Sequence, residues 1–379
     1  MRIAPHILHV AQPVEGGVAR VVTDLAAAQL AAGLRVTVVC PRGGTLAYDV
    51  RALGCRVVRW DATRSPGLRL PGEVRRLSRL VRDVRPDLVH AHSAKAGLAT
   101  RLAVRGALPT VFQPHAWSFE AADGTVARAA LAWERFGARW AKRVLCVSEA
   151  ERRTGYRAGI SARWQVVPNG VDTDRFRPEG ESARSGAGPL VVCVGRLCRQ
   201  KGQDVLLRAW PEVERQVPGA RLVLVGDGPD AGRLRASAPA SVRFAGGTPD
   251  VAGWYRAADV VVLPSRWEGM ALAPLEAMAC GRPVVVTDVD GAAESLPAAH
   301  RPDCLVPPED PGALARALTT LLRDEPLRSA LGAQGRSHVL RAHDLRQTTD
   351  AVTDVYRELL GITAAQMSGS DEGRKCMTT

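Results

Sequence analysis

The chain has 379 residues, 46% hydrophobic and 24% charged, a globular composition too long for one ordinary core and suited to two domains of comparable size. No apolar run approaches the roughly 18 residues of a membrane span, and Met1 to Val10 lacks the long apolar core of a signal peptide, so a cytoplasmic protein is expected. The net charge of +12 invites a nucleic-acid or anionic-membrane partner, but nearly all of it is Arg spread through every segment, with no aromatic-interleaved basic patch, so nucleic acid is not an expected partner.

Ile7 to Ala11 reads as a strand, followed by a Gly loop and a helix to Ala32 that Gly33 stops, with Val36 to Cys40 as the next strand. Gly16 and Gly17, between strand and helix, permit close backbone approach to a ligand. They do not form a GxGxxG fingerprint, and a tight turn explains them equally well. Arg56 to Trp60, Asp87 to Ala91, Thr110 to Gln113 and Val144 to Val147 are further strands separated by helical patterns, the rhythm of right-handed βαβ units.

Between Arg69 and Arg85, Leu70, Val74, Leu77, Leu80, Val81 and Val84 form an apolar helical stripe opposite Arg75, Arg76, Arg79 and Arg82. Such a helix can lie on an anionic membrane. A helix covering the sheet with a solvated Arg face is the plainer and favoured reading. His90 and His92 follow a strand without a matching third ligand and are read as loop or core histidines. His115 stands just past the Thr110 to Gln113 strand, with Trp117 two residues on. A histidine there can hydrogen-bond a sugar hydroxyl or steady charge near a reacting carbon, although a lone one is more often structural.

Residues Arg177 to Pro189 have linker composition. The expected division is therefore 1–180, 181–343, a helix over 344–362 packing back on the first domain, and a polar tail at 363–379. In the second half Leu190 to Val194, Arg221 to Val225, Val242 to Ala245, Val260 to Leu263 and Pro283 to Val286 are strands. The fold class is α/β: two doubly wound, Rossmann-like parallel-sheet domains facing across a cleft.

Just after the first strand of the second half, Arg196 and Lys201 occupy a loop that opens a helix near Gln203. Two cations beside a helix N-terminus at a strand's carboxyl edge make a phosphate-binding element, and Lys201 stands out because the chain has only four lysines. A surface pair of cations is the plain alternative. From Pro264 to Gly291 a polar loop over Ser265 to Met270 leads into a helix over Ala271 to Cys280, placing Glu268 before the helix and Glu276 in its early turns. Amides at the helix start suit phosphate and carboxylates suit sugar hydroxyls, which together suggest a nucleotide sugar. Glu276 complementing the helix dipole beside a solvated Glu268 explains the spacing as well. Asp288-Val289-Asp290 has the form of a metal-binding DxD, but cations and helix ends already supply neutralising charge, so no metal and no cofactor is expected. Gly226-Asp227-Gly228-Pro229 lacks the Lys-Ser/Thr ending of a triphosphate loop and reads as a turn. The eight cysteines are scattered, without metal-ligand spacing, and are read as reduced core residues.

Taken in order, EGGV from Glu15, the His of QPHAW, VSEAER from Val147, VPNGVDTDRF from Val167, VGRL with the following QKG, LVGDGP from Leu224, PSRWEGMALAPLEAMACGRPVV, and the Gly291/Glu294 turn resemble the retaining GT-B glycosyltransferases of family 4. The resemblance covers most of the chain. It implies a nucleotide-diphosphate sugar donor seated mainly in the second domain, an acceptor held mainly by the first, and metal-independent transfer with retention. Carried onto this sequence, it gives Arg196, Lys201 and the amides of Met270, Ala271 and Leu272 the diphosphate. Glu276 takes the ribose, Glu268 the donor sugar, His115 the reacting face, and Gly16 and Gly17 the donor phosphates. Two positions depart from the family's usual wording: Met270-Ala271 where Phe-Gly is common, and Ala116 where Gly is common after the His. HSAKAG from His92 with PHAWSF from Pro114 resembles members acting on lipid carriers. Trp117 is the candidate acceptor-stacking residue, and a saccharide, lipid-linked or small-molecule acceptor with peripheral contact to an anionic membrane is the partner set. The alternatives are glycosylation of a soluble metabolite, a related epimerase or phosphorylase, and a non-catalytic sugar-nucleotide or peripheral membrane binder.

Overall fold

The computed structural model describes residues 4–184 and 186–363; the polar tail, after Thr363, lies outside the described residues. Two parallel sheets organise the chain. The first is built from β1 (His6–Ala11), β2 (Arg35–Cys40), β3 (Arg56–Arg59), β4 (Leu88–His92), β5 (Thr110–Gln113), β6 (Arg143–Cys146) and β7 (Trp164–Val166), ordered β3-β2-β1-β4-β5-β6-β7. The second contains β8 (Leu190–Val194), β9 (Arg221–Val225), β10 (Val242–Gly246), β11 (Val260–Leu263), β12 (Val284–Thr287) and β13 (Leu305–Val306), ordered β10-β9-β8-β11-β12-β13. The central strands are continuous apolar runs because helices cover both sheet faces. Val260, Val261, Val262 and Leu263 are each no more than 4% exposed.

The chain forms two compact units, one running to Val167 and resuming at Thr348, the other from Pro168 to Gln347. The 177–189 stretch is not the place where the chain changes unit. Ala183 N donates to Gly253 O at 2.9 Å, Arg184 donates to Ala257 O at 3.2 Å, and Arg256 donates to Arg177 O and Glu181 O, both at 3.0 Å. These bonds strap the stretch along the second unit, so its linker-like composition marks a surface strap and not the boundary. In the first unit the helix Leu345–Leu360 sets the Tyr356 hydroxyl 2.6 Å from His90 Nδ1.

The helix Leu70–Val84 buries Leu77, Val81 and Val84 in the core with Leu8, Val10, Trp60 and Val89, and leaves Arg75, Arg76, Arg79 and Arg82 exposed. Its apolar stripe is therefore spent on the sheet, the plainer of the two sequence readings. Among the described residues no helix is long and apolar enough to cross a membrane. Of the described cysteines, all but the half-buried Cys198 are buried.

Candidate active site

The second sheet reverses its direction of winding between β8 and β11, neighbours in which Val191 pairs with Val260 and Val192 with Val261. Open α/β sheets bind ligands outside the carboxyl ends of strands at such a reversal. The chain leaving β8 carries Arg196 and Lys201 into the helix Gln203–Gln216; the chain leaving β11 carries Glu268 into the helix Leu272–Ala279. The structure brings Lys201 and Glu268 together: Lys201 Nζ lies 2.5 Å from Glu268 Oε1, and the Ser265 hydroxyl donates to the same oxygen at 2.7 Å. Arg196 is exposed, and among the described residues no carboxylate pairs with it. Ala271, the N-cap of the second helix, offers no side-chain acceptor, so the amides opening that helix are not capped by a side chain. Glu276, 9% exposed, sits one turn in and accepts from the Tyr255 hydroxyl at 2.7 Å. Burial, then the neighbouring Glu276 charge, pushes the Tyr255 hydroxyl well above its usual pKa and keeps it a donor.

Hydrogen bonds between the two loops hold this geometry. Arg266 grips Asp204 through two 2.8 Å bonds, and the guanidinium holds the Asp204 carboxyl below its usual pKa. Gln200 donates to Trp267 O at 3.0 Å, Gln203 donates to Arg196 O at 3.0 Å, and the Thr287 hydroxyl donates to Ser265 O at 2.5 Å. Asn169 Nδ2 donates to Met270 O at 2.7 Å and fixes the entry to the Glu276 helix. Sequence reasoning missed Asn169, Tyr255 and Ser265. Ser265 sits three residues from Glu268 in the same loop, whereas Asn169 and Tyr255 carry no local signal. Asp288 is exposed at the end of β12 with its amide bonded to Val306 O at 2.8 Å, and no metal-spaced group among the described residues includes it. Gly226 to Gly228 form a loop leading into a turn at Pro229, and Gly228 N bonds the Asp227 side chain at 2.7 Å.

In the first sheet the reversal falls between β1 and β4. Gly16, at φ 74°, and Gly17 open the helix Gly16–Ala31 and are exposed, so their amides belong to its unsatisfied first turn. His115 follows β5 in a left-handed conformation, φ 59°, and Ala116 has φ 128°. Both are rare for residues with a Cβ. Buried Glu151 holds this turn: Ala116 N donates to one carboxylate oxygen and Val147 N to the other, each at 2.7 Å.

Trp117 corrects the sequence reading. It is 1% exposed, its indole N–H donates to Glu151 O at 2.7 Å, and its ring packs on Phe119 and Trp164, so it offers no face to an acceptor. His90 and His92 are buried, but they are not isolated. With His9 they bring ring nitrogens within 4.8 Å of one another, and His92 Nδ1 lies 3.2 Å from His115 Nε2.

Two doubly wound parallel sheets, each with polar loops at its reversal, are the architecture of the GT-B fold, which by itself does not fix an activity. The chain belongs to glycosyltransferase family 4: the profile of that name matches residues 15–175, and that of glycosyl transferases group 1 matches residues 188–324. It is 33% identical, over 80% of its length and 84% of the relative's, to a GDP-mannose-dependent alpha-(1-6)-phosphatidylinositol monomannoside mannosyltransferase of Mycobacterium tuberculosis. It is 26% identical, over 75% of its length and 78% of the relative's, to a UDP-Gal:alpha-D-GlcNAc-diphosphoundecaprenol alpha-1,3-galactosyltransferase of Escherichia coli. Anabaena HepE, solved with UDP and glucose, superposes with a TM-score of 0.77 at 21% identity, covering 92% of this chain and 98% of the other.

Proposed function

We propose that the chain moves a mannosyl or related hexosyl group from a nucleotide-diphosphate sugar to a hydroxyl of a glycolipid acceptor, with retention and without a metal. The observation that carries this is the Lys201–Glu268 contact beside an uncapped helix start at the β8/β11 reversal, with Arg196 exposed on the same β8 loop. The relatives named above support a nucleotide-sugar donor and a lipid-linked acceptor, and the 33% identity makes GDP-mannose the first donor to test. As the bond from the sugar's anomeric carbon to the β-phosphate oxygen breaks, the diphosphate gains charge. Arg196, Lys201 and the helix amides stabilise that charge where it appears. The acceptor oxygen bonds to the same face of the anomeric carbon, and its proton passes to the departing phosphate oxygen. Glu268 accepts from a sugar hydroxyl, with Lys201 and Ser265 holding its carboxylate in place. Glu276, steadied by Tyr255, accepts from the ribose hydroxyls. His115 bears on the reacting sugar, and the Gly16 and Gly17 amides on donor phosphate. The four exposed arginines of the Leu70–Val84 helix give an electrostatic route to an anionic membrane, with no apolar stripe left to insert.

Thermal stabilisation by GDP-, UDP- and dTDP-sugars identifies the donor, because only a bound ligand raises the melting temperature. Lys201→Ala and Glu276→Ala each weaken that ligand's binding by roughly tenfold or more, the loss expected for a charge-assisted hydrogen bond, while the folded baseline persists. Unchanged binding in both variants refutes the assignment, and a trapped glycosyl-enzyme adduct refutes the same-face mechanism. Flotation with anionic vesicles at low salt reports on the arginine face.

A further inference from the structure

A continuous hydrogen-bonded line ends on His115. Gln29 Oε1 lies 2.8 Å from His9 Nε2, His9 Nδ1 lies 2.9 Å from His92 Nε2, and His92 Nδ1 lies 3.2 Å from His115 Nε2. Gln29, His9 and His92 are each no more than 1% exposed, so the first two bonds lie away from solvent, while the His92–His115 bond is part-buried. The carboxamide oxygen of Gln29 is the atom that faces His9, and among the described residues its nitrogen has no hydrogen-bond partner.

A carboxamide oxygen only accepts, and a neutral imidazole has one donor and one acceptor nitrogen. Starting from Gln29, the proton positions follow without further choice. His9 carries its proton on Nε2, so its Nδ1 accepts. His92 then donates from Nε2 and accepts at Nδ1. His115 must therefore donate from Nε2, which leaves its Nδ1 bare. Burial lowers the pKa of all three rings, His9 to about 4 and His115 to about 3, which keeps them neutral as the chain of bonds requires.

We propose that Gln29, His9 and His92 are positioning residues that hold His115 in the Nε2–H tautomer, so that its Nδ1 is presented as a hydrogen-bond acceptor to a hydroxyl of the bound substrate. The second half of that statement rests on the assignment of His115 to the sugar. The left-handed turn at His115 and Ala116, clamped by Glu151, fixes where the ring starts, and the line of histidines fixes which nitrogen is bare. The three nitrogen-rich rings of His9, His90 and His92 have metal-like spacing. A metal taking His9 Nδ1 and His92 Nε2 would have to replace the hydrogen bond that joins those two atoms at 2.9 Å.

The imidazoles themselves are read, so that the outcome does not depend on turnover. Full-length protein labelled with 15N-histidine gives long-range proton–nitrogen spectra in which protonated and bare ring nitrogens are distinct, and His115→Gln assigns the signals of residue 115. The expected result is a proton on Nε2 of His115 in the wild type and loss of that preference in Gln29→Met. A wild-type proton on Nδ1, an unchanged His115 tautomer in Gln29→Met, or one tightly bound metal per chain whose removal moves the signals of His9, His90 and His92 each overturns the proposal. If Gln29→Met fails to fold, the wild-type spectrum decides alone. Should the tautomer be as expected while His115→Ala transfers sugar at the wild-type rate, the role given to His115 fails and the tautomer-setting line stands.

Discussion

Ala116 holds φ at 128°, a region in which a Cβ is strained and glycine is not. The family's usual glycine after this histidine is thus explained by backbone geometry; the sequence located the position but not the cause. The conformation persists because Glu151 ties Ala116 N and Val147 N to one buried carboxylate. Ala116→Gly is expected to stabilise the chain by about 1 kcal/mol, the strain released less the entropy that glycine adds to the unfolded chain. Urea unfolding measures this as a raised midpoint with unchanged slope. A lowered midpoint would mean that the alanine methyl contributes more than the strain costs.

At the scale of elements, the short 3₁₀ turn Arg199–Lys201 and the helix Gln203–Gln216 meet at Gly202, which has φ 65° and where an added Cβ would stand 1.9 Å from Pro264 O. The loops that follow β8 and β11 dock through that contact. Gly202→Ala must push the β8 and β11 loops apart, and a loss of about 3 kcal/mol or more is expected in the melting of the protein, together with weaker donor binding. An unaltered melt would show that the loops adjust freely. The loops and strands of this unit were legible because each strand is a run of Val and Leu bounded by Gly or Pro, so β8, β9 and β11 fall where the sequence puts them. β7, three residues long, and β13, two residues long, were not legible because strands that short have no period to read. His9 and Gln29 escaped for another reason. His9 sits among apolar neighbours in β1, and its partners lie 20 and 83 residues away, so only the folded sheet shows that it is connected to His115. Local propensity and motif spacing fix where Lys201 and Glu268 lie, but pairing between distant side chains is a tertiary property.

Across the whole molecule, every one of the eight histidines has its pKa lowered, with burial the largest cause in each. A histidine with a depressed folded-state pKa contributes its full stability where both states are neutral, above about pH 6.5. As pH falls below that value the unfolded chain binds protons that the folded chain refuses, and stability drops until the folded-state pKa is reached, about 4 for His9. His9 alone accounts for about 2 kcal/mol between neutrality and pH 5. The carboxylates held low by cations, such as Asp204 beside Arg266, lose their contribution only at more acidic pH, so the histidine window comes first. His6, His9, His90, His92 and His115 lie in the first unit, and His300, His338 and His343 in the second. Calorimetry is therefore expected to show a first-unit transition that moves down faster than the second-unit transition between pH 7 and pH 5, with limited proteolysis identifying the first unit as the one that opens. Transitions that keep their spacing over that range would mean that the line of imidazoles takes up protons in place, and a line that can do so could not hold His115 in one tautomer.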